Sequence, residues 1–100
     1  MKNLISGLNK VFESRIRLGI MSVLMVNDSF DFNGLKEELE LTDGNLASHL
    51  KALEEAGLVE MRKSFIGRKP NTSYSATEKG RDLFKQHLIA LERVIKEFNN

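Results

Sequence analysis

Thr42-Asp43-Gly44-Asn45-Leu46-Ala47-Ser48-His49-Leu50-Lys51-Ala52-Leu53-Glu54-Glu55-Ala56-Gly57 is the stretch whose periodicity sets the fold. Thr42 is a good helix N-cap, because its hydroxyl can accept from an amide two or three residues on. Leu46, Leu50 and Leu53 recur at steps of four and three, the spacing of a helix with one apolar face. Gly57 marks the stop, since glycine takes the left-handed conformation that follows a helix without penalty. At ~100° per residue, Gly44, Asn45, Ser48, Lys51, Ala52 and Glu55 fall on the side away from the leucines.

Upstream, Asn33 is placed to cap a short helix with Leu35 and Leu39 inward, and Glu40-Leu41-Thr42 reads as the turn between the two helices. Ser29 to Phe32 reads as a minor strand. A helix from the N-cap Ser14 runs through Ile16, Ile20, Val23 and Leu24 to Asn27-Asp28. Leu4, Leu8, Val11 and Phe12 predict an amphipathic N-terminal helix over residues 1–13. Downstream, Leu58 to Phe65 is rich in strand-compatible residues, Gly67-Arg68-Lys69-Pro70-Asn71 is a loop by composition, and Thr72 to Ala76 returns as a second strand. Thr77-Glu78 then starts a long helix to about Phe98. The expectation is a mainly α fold with a small β-hairpin (α+β), one domain over residues 1–100. It divides into an N-terminal helix (1–13), a core (14–76) and a terminal helix (77–98).

One hundred residues suit a single domain. With 41% hydrophobic and 29% charged residues, the chain has the make-up of a folded globular protein. It contains no cysteine, so disulfides and thiolate metal sites are excluded. The N-terminus lacks a cleavable signal pattern, and the longest apolar run, Ile20 to Val26, is interrupted by Ser22 and is far short of the ~18 residues of a membrane span. A cytoplasmic protein without a membrane partner is the expectation. No nucleophile–base set, Gly-rich phosphate loop or metal-ligand spacing is present, which argues against an enzyme and against a cofactor.

The net charge of +1 conceals a division along the chain. Residues 27–61 carry nine acidic side chains against Lys36 and Lys51, whereas residues 62–76 carry Arg62, Lys63, Arg68 and Lys69 with no acid. A local, uncompensated basic patch is the electrostatic mark of a nucleic-acid partner.

Two helices joined by a three-residue turn, the second with a leucine face, make a helix-turn-helix. In that arrangement the second helix lays its exposed side in the major groove of double-stranded DNA, N-terminal end first. Asn45 and Ser48 lie near that end, and asparagine can bond an adenine edge bidentately. Gly44 leaves room for close approach, Thr42 and the helix N-terminus suit a phosphate, and Lys51 is a phosphate anchor. Arg68 and Lys69, between Gly67 and Pro70, can reach a neighbouring minor groove. Arg62 and Lys63 belong to the same basic segment. His49 lies about 70° from the centre of the leucine face. It reads as a boundary packing residue or as a base contact. The alternative to DNA binding is an interaction module whose acidic face binds a basic partner. The acidic middle of the chain predicts modest, salt-sensitive DNA affinity.

Leu46-Ala47-Ser48-His49-Leu50-Lys51-Ala52-Leu53-Glu54-Glu55-Ala56-Gly57-Leu58-Val59 resembles the recognition-helix signature of ArsR/MarR-type winged helix-turn-helix regulators. Arg15-Ile16-Arg17-Leu18, Gly67-Arg68-Lys69-Pro70 and Thr77-Glu78-Lys79-Gly80 are similar to a compact single-domain subgroup. The resemblance covers about Phe12 to Phe84. It implies a homodimeric transcriptional regulator, with the helix over 42–55 reading bases and a wing over 65–72 on backbone or minor groove. Metal-sensing members of that superfamily use cysteines or an Asp/His/Glu set on the terminal helix. Here cysteine is absent, and Asp82, His87 and Glu92 are each rotated by about 140° from the last, so they cannot share a helical face.

The last helix bears on assembly. Phe84, Leu88, Leu91, Ile95 and Phe98 step by four, three, four and three, with His87 and Val94 widening the seam. His87 reads as an interface or core histidine. With Leu4, Leu8 and Phe12 at the other terminus, these residues are the expected interface of a two-fold dimer, making both terminal helices dimerisation helices. A ligand could be sensed in so short a chain only at that interface, and no effector is assigned.

Overall fold

The computed structural model describes residues 3–99, so Met1, Lys2 and Asn100, within the expected single domain, lie outside the described residues. The helices are α1 (Arg15–Met25), α2 (Phe32–Leu39), α3 (Asp43–Glu55) and α4 (Glu78–Asn99). The strands are β1 (Phe30–Asp31), β2 (Val59–Ile66) and β3 (Lys69–Ala76), joined in an antiparallel sheet of order β1-β3-β2. The sheet therefore has one more strand than the hairpin, with Phe30 opposite Tyr74.

The helix ends follow local chemistry. Ser14 caps α1 by accepting from the Arg17 amide, and Thr42 caps α3 by accepting from the Asn45 amide. α3 stops where Gly57 (φ 76°) turns the chain: the Gly57 amide donates to Glu54 and the Leu58 amide to Leu53. These two reversed bonds are the Schellman pattern. Asp31, not Asn33, caps α2, accepting from the Gly34 amide at 2.8 Å. The helix thus starts at Phe32, with Asp31 in the extended conformation of an N-cap.

The expected N-terminal helix is not formed among the described residues. Residues 4–7 are turns, followed by a single 3₁₀ turn over Lys10–Phe12. Two asparagines compete with the helix for its amides, Asn3 accepting from Ile5 and Asn9 from Val11. Asn9 itself is extended, which breaks any continuous helix there.

The core gathers Ile20, Met21 and Leu24 of α1, Leu35 of α2, the three leucines of α3, Leu58 and Val59, Tyr74, Phe84 and Phe12. Phe12 is 1% exposed and meets Phe84 edge-on with ring centroids 5.1 Å apart. The loop expected over 67–71 is only two residues long, since Ile66 already pairs with Lys69. Gly67 has φ 65° and Arg68 a negative φ, the combination a type II′ turn needs. Pro70 sits inside β3 because β1 reaches only Ser73, so no neighbouring strand asks for the missing N–H.

The start of α4 locks three elements together. Thr77 accepts from the Gly80 amide and donates to the Gly57 carbonyl. Lys79 donates to the Ala56 carbonyl, and Arg81 to the Leu24 and Met25 carbonyls at the end of α1. These cations sit at helix C-termini, where the macrodipole favours them. Gly80 lies directly on the Leu58 carbonyl, and a Cβ there would overlap its oxygen. Gly80→Ala should therefore cost about 2–4 kcal/mol in urea unfolding, despite the better helix propensity of alanine. A cost under about 0.5 kcal/mol would contradict this close approach.

Candidate nucleic-acid interface

α3 is held by the complete burial of Leu46, Leu50 and Leu53. Removing three leucine side chains from water stabilises this orientation by ~1.5–3 kcal/mol each. The opposite side is left open: Gly44, Asn45, Ala47, Ser48 and Lys51 are all exposed, as is the cap Thr42. A Cβ built on Gly44 meets nothing within 4 Å, so the backbone there is open to close approach. Ala52, expected on the open side, is half-buried.

Two contacts shape the flanks of this surface. Lys36 of α2 pairs with Asp43 at 3.0 Å, which offsets the acidic side chain nearest the helix N-terminus. On the other flank, the Arg17 Nε–H of α1 donates to His49 Nδ1 at 3.0 Å. Because Nδ1 accepts, the neutral ring carries its proton on Nε2. Burial, and then the Arg17 charge, push the His49 pKa below its ordinary value. His49 is thus half-buried at the flank of α3 and tied to α1. Arg17 was not singled out as a functional residue in the sequence, since 32 positions separate it from His49 and no local pattern links them.

The basic segment is divided by the strand geometry. Arg62 and Lys63 are adjacent on β2, and neighbouring strand residues point to opposite faces. Lys63 shares the face of Met61 and Phe65, opposite Thr72, whereas Arg62 lies opposite Ser73 on the face of Ile66 and Lys69. All four basic residues are exposed, but a single flat contact cannot engage them all. Arg68 occupies the turn itself and Lys69 begins β3. The molecule measures 57 × 25 × 21 Å. Every β2 residue after Val59 is exposed, so the hairpin stands clear of the core beyond its root.

The residues expected at a dimer interface fall into two groups. Phe12, Phe84 and His87 belong to the chain's own core, which corrects their assignment to a surface between subunits. They are drawn inward because the N-terminal segment folds over α4: the Asn9 amide donates to His87 Nδ1 at 2.9 Å, and a Cβ on Gly7 would lie 3.2 Å from that of Ala90. Burial lowers the His87 pKa, while Glu13 acts in the opposite direction. Leu4, Leu8, Leu91 and Val94 are half-buried. Leu88, Ile95 and Phe98 are exposed, Phe98 by 89%, and no α4 residue beyond Ala90 is fully buried. The last turns of α4 therefore overhang the body.

A winged helix DNA-binding domain family matches residues 16–95. The chain belongs to that family. A protein of Methanocaldococcus jannaschii, MJ0432, is 44% identical over 87 residues, covering 87% of this chain and 95% of its own. A transcriptional regulator homologue from Pyrococcus horikoshii OT3 has the same fold with TM-score 0.86 and 32% identity, over 97% of this chain and 94% of that one. YusO of Bacillus subtilis superposes with TM-score 0.81 at 16% identity, over 95% of this chain and 67% of its own, a likeness of fold alone. The Pyrococcus neighbour, a transcriptional regulator homologue, is in keeping with the regulators that the sequence resembles. No helix among the described residues is long and apolar enough to cross a membrane.

Both histidines have folded-state pKa values below that of an unfolded chain. The unfolded state then binds protons more readily, so stability is full above about pH 6.5 and falls as the pH drops below it. The melting temperature should decline between pH 7.5 and 5.5. His49→Gln, whose amide oxygen can accept from Arg17 but does not titrate, should make that decline shallower. An unchanged slope in this variant would show that His49 is not held neutral by its surroundings.

Proposed function

We propose that this winged helix protein is a sequence-specific, double-stranded DNA-binding transcriptional regulator that acts as a homodimer. In this reading α3 enters the major groove and the β2–β3 wing lies on the adjoining backbone and minor groove. The observation that carries it is the polar, open N-terminal half of α3, held outward by the buried leucines. Asn45 and Ser48 present amide and hydroxyl groups to base edges, and Lys51 faces a phosphate. The Thr42 hydroxyl and the first α3 amides suit a second phosphate. Arg62 or Lys63, with Arg68 and Lys69, supply the counter-charge along the wing.

The division of labour is measurable by anisotropy titration across salt concentrations. Arg68→Ala with Lys69→Ala should weaken binding to all duplexes and flatten the salt slope by roughly two phosphate contacts. Asn45→Ala should instead erode the preference for the cognate site by ~1–3 kcal/mol. An unchanged preference would mean that α3 is not the reading element. The second reading, an interaction module for a basic protein, draws on the acidic residues of 27–61. Absence of duplex binding even at low salt would favour it.

Dimerisation is supported by the apolar surface shared by both termini. Ile5, Leu88, Ile95 and Phe98 are exposed, and the N-terminal segment lies against α4. Two such surfaces related by a two-fold axis would cover each other and set two α3 helices for half-sites about one helical turn apart. Sedimentation should give twice the monomer mass for the native chain and the monomer mass for Ile95→Glu with Phe98→Glu. A monomeric native chain at tens of micromolar would refute the dimer.

A further inference from the structure

The hairpin tip carries a feature that phosphate contacts do not account for. Phe65 is 73% exposed and Ile66 is 66% exposed, although both are bulky apolar residues on a projecting, strongly basic arm. Being neighbours on β2, they face opposite sides of the ribbon. Phe65 lies across from Pro70, with Lys63 two residues back on the same face. Ile66 lies across from Lys69, and Arg68 tops the turn between them. Each side of the tip therefore presents an apolar group beside a cation, and residues 62–76 contain no acid.

We infer that the wing tip is a minor-groove wedge, in which Phe65, backed by Pro70, or Ile66 inserts at a base step and bends the duplex. The inference rests on the DNA-binding reading above and adds a mechanical act to it. Apolar side chains on a narrow arm unstack a base step when flanking cations hold the two phosphate rails, and the unstacked step kinks toward the major groove. The cluster of Lys63, Arg68 and Lys69 without a neighbouring acid selects a polyanion such as the duplex, and opposes pairing of this tip with that of a second copy. The two-residue turn stiffens the arm, while the strand's free edge past Ser73 leaves its end clear of the body.

Bending can be read without knowing the cognate site. Ligase closes a mixed-sequence duplex of about 100 bp inefficiently, because it is shorter than the ~150 bp persistence length. Saturating native protein should raise the yield of monomer circles roughly tenfold or more at low salt. Phe65→Ser with Ile66→Ser should bind the same duplex more weakly. At saturation, it should leave the circle yield within about twofold of naked DNA. Its melting temperature should match the native value, since neither side chain is packed. Arg68→Ala should need more protein to saturate but then still give circles. Binding without circles, or equal circles from the serine variant, overturns the wedge and leaves DNA binding standing. No duplex binding overturns both. Loss of binding to phosphatidylserine vesicles by the serine variant, with circle formation unchanged, would instead assign the tip to a membrane surface and overturn the wedge.

Discussion

The roll angle of α3 is the constraint on which the rest depends. Leu46, Leu50 and Leu53 are completely buried, and turning the helix by one residue would expose leucine and bury Asn45 or Lys51. Each misplacement costs both the apolar burial and the desolvation of a polar group. The open face is therefore a consequence of the core. Asn45, Ser48 and Lys51 face outward because the leucines cannot.

A second constraint fixes the wing at its root and releases it at its tip. Thr77 bridges the end of α3 to the start of α4, and Gly80 lets α4 rest on the Leu58 carbonyl just before β2 begins. Val59 and Tyr74 are buried on the sheet, whereas every β2 residue after Val59 is exposed. The arm is thus oriented by a rigid junction but contributes little to the core. Its chemistry is free to be chosen for something other than folding, which is where its cations and the exposed Phe65 and Ile66 at its tip gain their meaning.

The electrostatics follow the same division. The acidic middle of the chain suggests repulsion of DNA, yet its side chains are not evenly placed. Asp43, nearest the open end of α3, is paired with Lys36, while Glu54, Glu55 and Glu60 collect at the far end of the helix and the strand beside it. Burial and the Arg17 charge favour the neutral His49 ring, so that flank gains no second charge beside Arg17. Local pairing, more than net charge, decides what a groove would meet.

By itself the sequence determined the helix-turn-helix, the caps Ser14 and Thr42, the stop at Gly57 and the basic hairpin, because each is written in residues close together along the chain. It misled where a local preference met a non-local partner. The N-terminal apolar stripe is no helix, Asn9 being extended with its amide on His87; Pro70 lies in a strand because β1 ends short of it; Phe12 and Phe84 face each other inside the fold. Only tertiary structure decided the Arg17–His49 pair, the Asn9–His87 bond and the seat of Gly80 on the Leu58 carbonyl. Those depend on which surfaces meet after the chain has turned back on itself, and periodicity along one element carries no record of its neighbour.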